Sequence, residues 1–98
     1  MTVRQILRCI GQNVRASRLK ADLTQECLAE LVGVHWQTIS YIESGKVPCS
    51  VLTFARISQV LEVSPNRLFE GLPELDAKRV SAVKQALARK RKLPAKAK

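Results

Sequence analysis

The chain has 98 residues, is 46% hydrophobic and only 4% aromatic, and carries a net charge of +9. That is enough for one modest core and a short appendage. No run approaches the ~20 apolar residues of a membrane span, and no signal-peptide pattern opens the chain, so a cytoplasmic protein is expected. Three cysteines (Cys9, Cys27, Cys49) lack C-x-x-C spacing and there is a single histidine, His35. Free thiols are therefore expected, with no metal site and no cofactor. Charge is unevenly spread. Residues 1–73 hold eight basic and six acidic groups, whereas residues 74–98 hold nine basic and two acidic. A basic end suggests a polyanionic partner, and charge alone leaves nucleic acid and anionic membrane both open.

Apolar positions recur at helical rather than strand spacing, and no Asn-Gly or Asp-Gly hairpin turn occurs, so the fold is expected to be all-α. Val3, Leu7, Ile10 and Val14 form one stripe on a helix over about 2–20. In LTQECLAEL, Thr24 suits an N-cap, and Leu28, Ala29 and Leu31 are expected to face inward. Gly33 ends that helix at a left-handed turn. A third helix covers about 36–43. Ser50 can cap a fourth over 51–61, with Phe54, Ile57 and Leu61 inward. Ser64-Pro65 opens a fifth that ends near Gly71. Residues 74–92 form a basic C-terminal helix with Val80, Val83 and Leu87 on one stripe, and 93–98 a disordered basic tail.

Two short helices separated by a glycine turn make a helix-turn-helix. The stretch TQECLAELVGVHWQTISYIESGK resembles the helix-turn-helix of the Cro-like, lambda-repressor-type (XRE) regulators of bacteria and phage. The resemblance rests on Thr24-Gln25, Leu28-Ala29, Gly33-Val34, Ile39, Ile42-Glu43 and Gly45-Lys46. VLTFARISQVLEVSPNRLF is similar to the family's fourth and fifth helices, and the likeness covers residues 4–70. It implies a lambda-repressor-like five-helix domain, here over 1–73, that binds double-stranded operator DNA as a homodimer.

Helical arithmetic separates the faces of the third helix. With inward set between Ile39 and Ile42, Gln37 points about 170° away, Ser40 and Tyr41 about 130° away and Trp36 about 90° away. An amide, two hydroxyls and an indole on one face suit a DNA major groove, where Gln pairs bidentately with adenine. The resemblance places base readers at the positions of Trp36, Gln37, Ser40 and Tyr41. For each the plainer alternative is an ordinary wet helix face or, for Trp36, packing on the second helix. The resemblance puts phosphate contacts at Thr24 and Gln25. Ser44 and Lys46 beyond the third helix, with His35 and Thr38 at its start, are expected to join them. Relatives often carry more cations in the loop held here by Val47, Pro48 and Cys49. Glu43 lies about 70° from inward, and the family's Arg–Glu pair maps onto Arg18 and Glu43 as a structural ion pair.

Dimer contacts of relatives lie towards helices four and five or beyond, which points to Leu68, Phe69 and Leu72, with Val80, Val83 and Leu87. The last helix alternatively docks on its own domain or holds a protein partner. The cluster at 89–92 either tracks phosphates or keeps the tail soluble. A phage repressor, a restriction–modification controller, an autoregulating antitoxin and a protein-binding adaptor all fit the pattern. Catalysis is not expected: no phosphate-binding glycine loop, no nucleophile–base pair and no carboxylate pair in a cleft is recognisable.

Overall fold

Helix α1, Val3–Lys20, starts at a capping box: Gln5 N–H donates to Thr2 Oγ1 at 3.1 Å, and Thr2 N–H donates to Gln5 Oε1 at 2.9 Å. The computed structural model describes residues 2–72 and 77–92. Five further helices follow: α2 (Gln25–Val32), α3 (Trp36–Glu43), α4 (Val51–Leu61), α5 (Pro65–Leu68) and α6 (Ala77–Lys92). No strand occurs among the described residues. Thr24, Ser50 and Ser64 cap α2, α4 and α5 through their hydroxyls. The expected 93–98 tail and the 73/74 domain boundary lie outside the described residues.

The core draws on every helix of the five-helix body: Val14, Leu28, Ala29, Val32, Ile39, Ile42, Ile57, Leu61 and Leu68. Phe54 packs at its edge. Several expectations need correction. Leu31 is 60% exposed, and Val32 is buried in its place. With inward set between Leu28 and Ala29, Leu31 lies about 110° off at 100° per residue, while Val32 falls almost on that direction. The α1 stripe is core only in its second half: Val14 is fully buried, Ile10 and Leu7 are half-buried, and Val3 is open to solvent. Leu68, expected on a dimer surface, is fully buried among its own chain's helices and has nothing to offer a partner.

The fifth helix is shorter than its sequence suggested, giving way to turns at Phe69–Gly71. Asn13 on α1 explains where it stops. Its amide donates to the carbonyls of Leu68 at 2.9 Å and Glu70 at 2.7 Å, which takes up acceptors at the end of α5. The Cys9 thiol adds a longer bond to Glu70 O at 3.2 Å. Cys49 is half-buried near the α4 start, and burial pushes its thiol pKa up, so it is a neutral thiol at pH 7.

Helices α1 and α3 approach each other closely at Gly11. Gly11 is buried, and a Cβ built there would stand 2.3 Å from Ile42 O and 2.6 Å from Glu43 O. Both obstacles are backbone, so neither can move aside as a side chain could. Glycine inside a helix costs about 0.5–1 kcal/mol relative to alanine, and close packing of α3 is what offsets it. Propensity alone therefore makes Gly11→Ala stabilising. The packing predicts the opposite, a loss of about 1–3 kcal/mol or more from overpacking, measured by urea unfolding. A gain would show that α3 does not need this approach.

Candidate nucleic-acid interface

The turn between α2 and α3 is built by two backbone features. Gly33 adopts φ 87°, a left-handed conformation that closes α2, and the N–H groups of Gly33 and Val34 both donate to Ala29 O, at 2.8 and 3.0 Å. His35 then caps α3, its Nδ1 accepting the N–H of Gln37 at 3.2 Å. Ile39 and Ile42 anchor α3 in the core, which turns the other side of the helix outward.

On that outer side Gln37 is exposed, Tyr41 is 42% exposed and Trp36 is 45% exposed. The indole leans on the His35 ring, 6.0 Å between centroids, rather than entering the core. Ser40 is half-buried, less open than its angle implied, as is Thr38. Past the helix, Gly45 at φ 73° brings the chain back, so that Lys46 N–H donates to Tyr41 O at 2.9 Å. The Lys46 ammonium then sits 5.8 Å from the centre of the Tyr41 ring. That distance is a cation–π contact which holds both side chains at the same end of the face. Ser44 is exposed beside them, with its hydroxyl turned to Tyr41 O at 3.2 Å. At the start of α2 Thr24 is exposed, and its Oγ1 takes the N–H of Cys27 at 3.0 Å.

Beneath this face lies a buried polar network. Arg18 and Glu43 are 6% and 7% exposed. The guanidinium grips the carboxylate with two bonds, Nε to Oε2 at 2.6 Å and Nη2 to Oε1 at 3.0 Å. Arg18 Nη1 donates to Leu23 O at 2.7 Å, and Gln25 Nε2 donates to Glu43 Oε1 at 3.1 Å. One cation thus joins α1, the α1–α2 connection and α3, while Gln25 brings in α2. The Glu43 hydrogen bond holds the Arg18 pKa above its ordinary value despite desolvation. A raised cation pKa contributes stability below the ordinary value and is lost only as pH climbs past it. Arg18 therefore brings no pH dependence to the neutral range.

Residues 14–68 match the HTH_3 helix-turn-helix family model, more than half of the chain. The chain belongs to this helix-turn-helix family. A helix-turn-helix transcriptional regulator of Sinorhizobium fredii, y4aM, is 31% identical over 65 residues, which are 66% of this chain and 46% of that protein. The chain thus spans about half the length of that curated relative. Among solved structures, the restriction-modification controller C.AhdI of Aeromonas hydrophila is similar at 30% identity and TM-score 0.62, covering 64% of this chain and 96% of that one. A SinR–SinI protein complex is similar at 29% identity and TM-score 0.61, over 82% and 80% of the two chains. The lambda-repressor-like fold implied by the sequence resemblance is the fold of this helix-turn-helix protein.

Of the residues singled out from sequence, Trp36, Gln37, Tyr41, Ser44 and Lys46 share one surface, and Arg18 and Glu43 meet as expected. Gln25 is different. Its side chain is committed to Glu43 and half-buried, so any phosphate contact there falls to its backbone N–H. Sequence reasoning missed Gly11, Asn13 and the Lys46–Tyr41 contact. The first left a signal, a lone glycine inside a helical stripe. The other two depend on segments that only the tertiary fold or a positive φ brings together.

Removing one partner of the buried pair leaves an uncompensated charge, so Arg18→Met should cost about 3–5 kcal/mol. Arg18→Met combined with Glu43→Leu should recover most of that loss, because both charges leave together. Chemical unfolding of the single and double variants measures it. A single variant as stable as wild type would mean that the network does not tie α3 down.

Proposed function

We propose that the protein is a sequence-specific double-stranded DNA-binding regulator that acts as a homodimer, with α3 laid in the major groove. Membership of the helix-turn-helix family places it with DNA-binding regulators rather than enzymes. The observation that carries the finer reading is the outer face of α3, where Trp36, Gln37 and Tyr41 stand exposed while Ile39 and Ile42 fix the helix from behind.

The N-terminal residues of such a helix enter the groove. Gln37 supplies the donor–acceptor pair that matches adenine, and the Ser40 and Tyr41 hydroxyls reach base edges or phosphate. Trp36 offers an apolar plane to a thymine methyl or a sugar. Phosphate oxygens are held around this face by Thr24, the Gln25 N–H, His35, Thr38, Ser44 and Lys46, with the dipole of α2 favouring the anion. The Lys46–Tyr41 contact sets a positive charge at the far end of the helix, where a phosphate strand would run.

A single helix-turn-helix has a small footprint, and two copies on half-sites ~34–36 Å apart double it. Within the five-helix body and the segment just after it, Phe69 and Leu72 are the candidates for that dimer surface. Phe69 is 42% exposed and stacks on Phe54 at 4.8 Å, at one side of an apolar groove of about 370 Å³ that also borders Leu7, Ile10, Val47 and Pro48. Val51 and Leu52 extend the exposed apolar surface at 86% and 61% exposure.

Duplex selection followed by titration tests this function. Wild type should prefer the selected duplex over random sequence and bind it as two chains per duplex. Gln37→Ala combined with Tyr41→Ala should lose that preference by 10-fold or more, as removing about 1–3 kcal/mol of base discrimination per contact requires, while keeping salt-sensitive binding to any duplex. Equal binding of wild type to selected and random duplexes would contradict the function itself. Undiminished preference in the double variant would contradict the assigned face.

A further inference from the structure

We propose that α6 is a docking helix for an acidic amphipathic helix of another protein. It lies outside the matched helix-turn-helix region, and none of the principal helix–helix packings involves it. Val83 and Leu87 are 52% and 45% exposed, and every residue from Ser81 to Lys90 is exposed. With Val80 they form a seam that rises about 10 Å along the helix at 1.5 Å per residue.

Charge defines the occupant. The sequence of α6 holds seven basic residues and no acidic one. Helical arithmetic sets Lys84 and Lys90 roughly 60° to either side of the seam. The seam is therefore edged by cations on both sides. Pairing α6 with α6 of a second copy places like charges across the contact in parallel and antiparallel orientations alike. An apolar seam edged by Asp or Glu satisfies both the stripe and the flanks, and the cationic edges reject basic partners.

Two other polyanions fit less well. A DNA backbone would neutralise the cations but leave Val83 and Leu87 without an apolar partner. A membrane surface needs an apolar face of about 100° or more, and this seam spans only about 60°.

The test uses the full chain and three labelled 18-residue helical peptides. One carries a Leu seam with Glu flanks, one a Leu seam with Lys flanks, and one a Ser seam with Glu flanks. Titration by fluorescence anisotropy should show the Leu/Glu peptide binding at least 10-fold more tightly than either control. Val83→Ser combined with Leu87→Ser should remove at least 10-fold of that affinity, with the unfolding transition of the five-helix body and the helical circular dichroism unchanged. Lys84→Glu combined with Lys90→Glu should abolish the preference for the Glu-flanked over the Lys-flanked peptide. Equal binding of the Ser-seam and Leu-seam peptides would overturn the proposal, since charge alone would then suffice. So would a charge-reversal variant that loses affinity for random duplex DNA while peptide preference stays fixed, which would make α6 a phosphate-binding arm. Neither result depends on whether α3 reads DNA, because preference for a selected duplex is measured separately.

Discussion

The orientation of α3 rests on the bidentate contact between Arg18 and Glu43. A guanidinium and a carboxylate, both nearly sealed from water, are fixed in a plane by bonds of 2.6 and 3.0 Å. Leu23 O and the Gln25 amide fill remaining positions, and no buried side-chain nitrogen or oxygen among the described residues lacks a partner. Such a network adds modest net stability, because desolvation offsets much of the attraction. What it supplies is direction: three helices must meet at one register for four hydrogen bonds to form together. Gly11 enforces the same register sterically, since α3's last turn lies against its bare Cα.

The proposed function rests on that division of labour. The inner side of α3 is held by two isoleucines and a carboxylate, so its outer side is free to carry groups chosen for contact rather than for packing. An indole, an amide and a phenol exposed on one eight-residue helix would be a poor arrangement for a core and an economical one for a groove. Their supports are short-range and rigid: the His35 cap at one end, and the Gly45 turn with Lys46 over the Tyr41 ring at the other. Few rotamers need to be frozen when such a surface meets its partner, which lowers the cost of binding.

The sequence was most informative where period and cap chemistry agree. Thr24, Ser50 and Ser64-Pro65 mark helix starts, Gly33 marks an end, and the alternation of Ile39 and Ile42 with Gln37 and Tyr41 separates core from display. Legibility failed where a residue's environment comes from distant segments. Leu31 reads as core until α2 is docked and Val32 takes the inner position. Leu68 reads as a surface leucine at the end of a helix, but Asn13 draws that end onto α1 and buries it. Gly11 looks like a weak helix residue until α3 is laid across it. The Arg18–Glu43 pair became visible through family resemblance, since 25 residues separate the two side chains.

The chain's only tryptophan lies on the face in question, which gives the most direct test. In a two-dimensional NMR titration with a selected duplex, the Trp36 indole N–H and the amides from His35 to Lys46 should show the largest shifts, with the Gln25 amide beside them. Random duplex should move the indole far less. Shifts concentrated on Val51, Leu52 and Phe69 or on α6, with α3 unperturbed, would contradict the account.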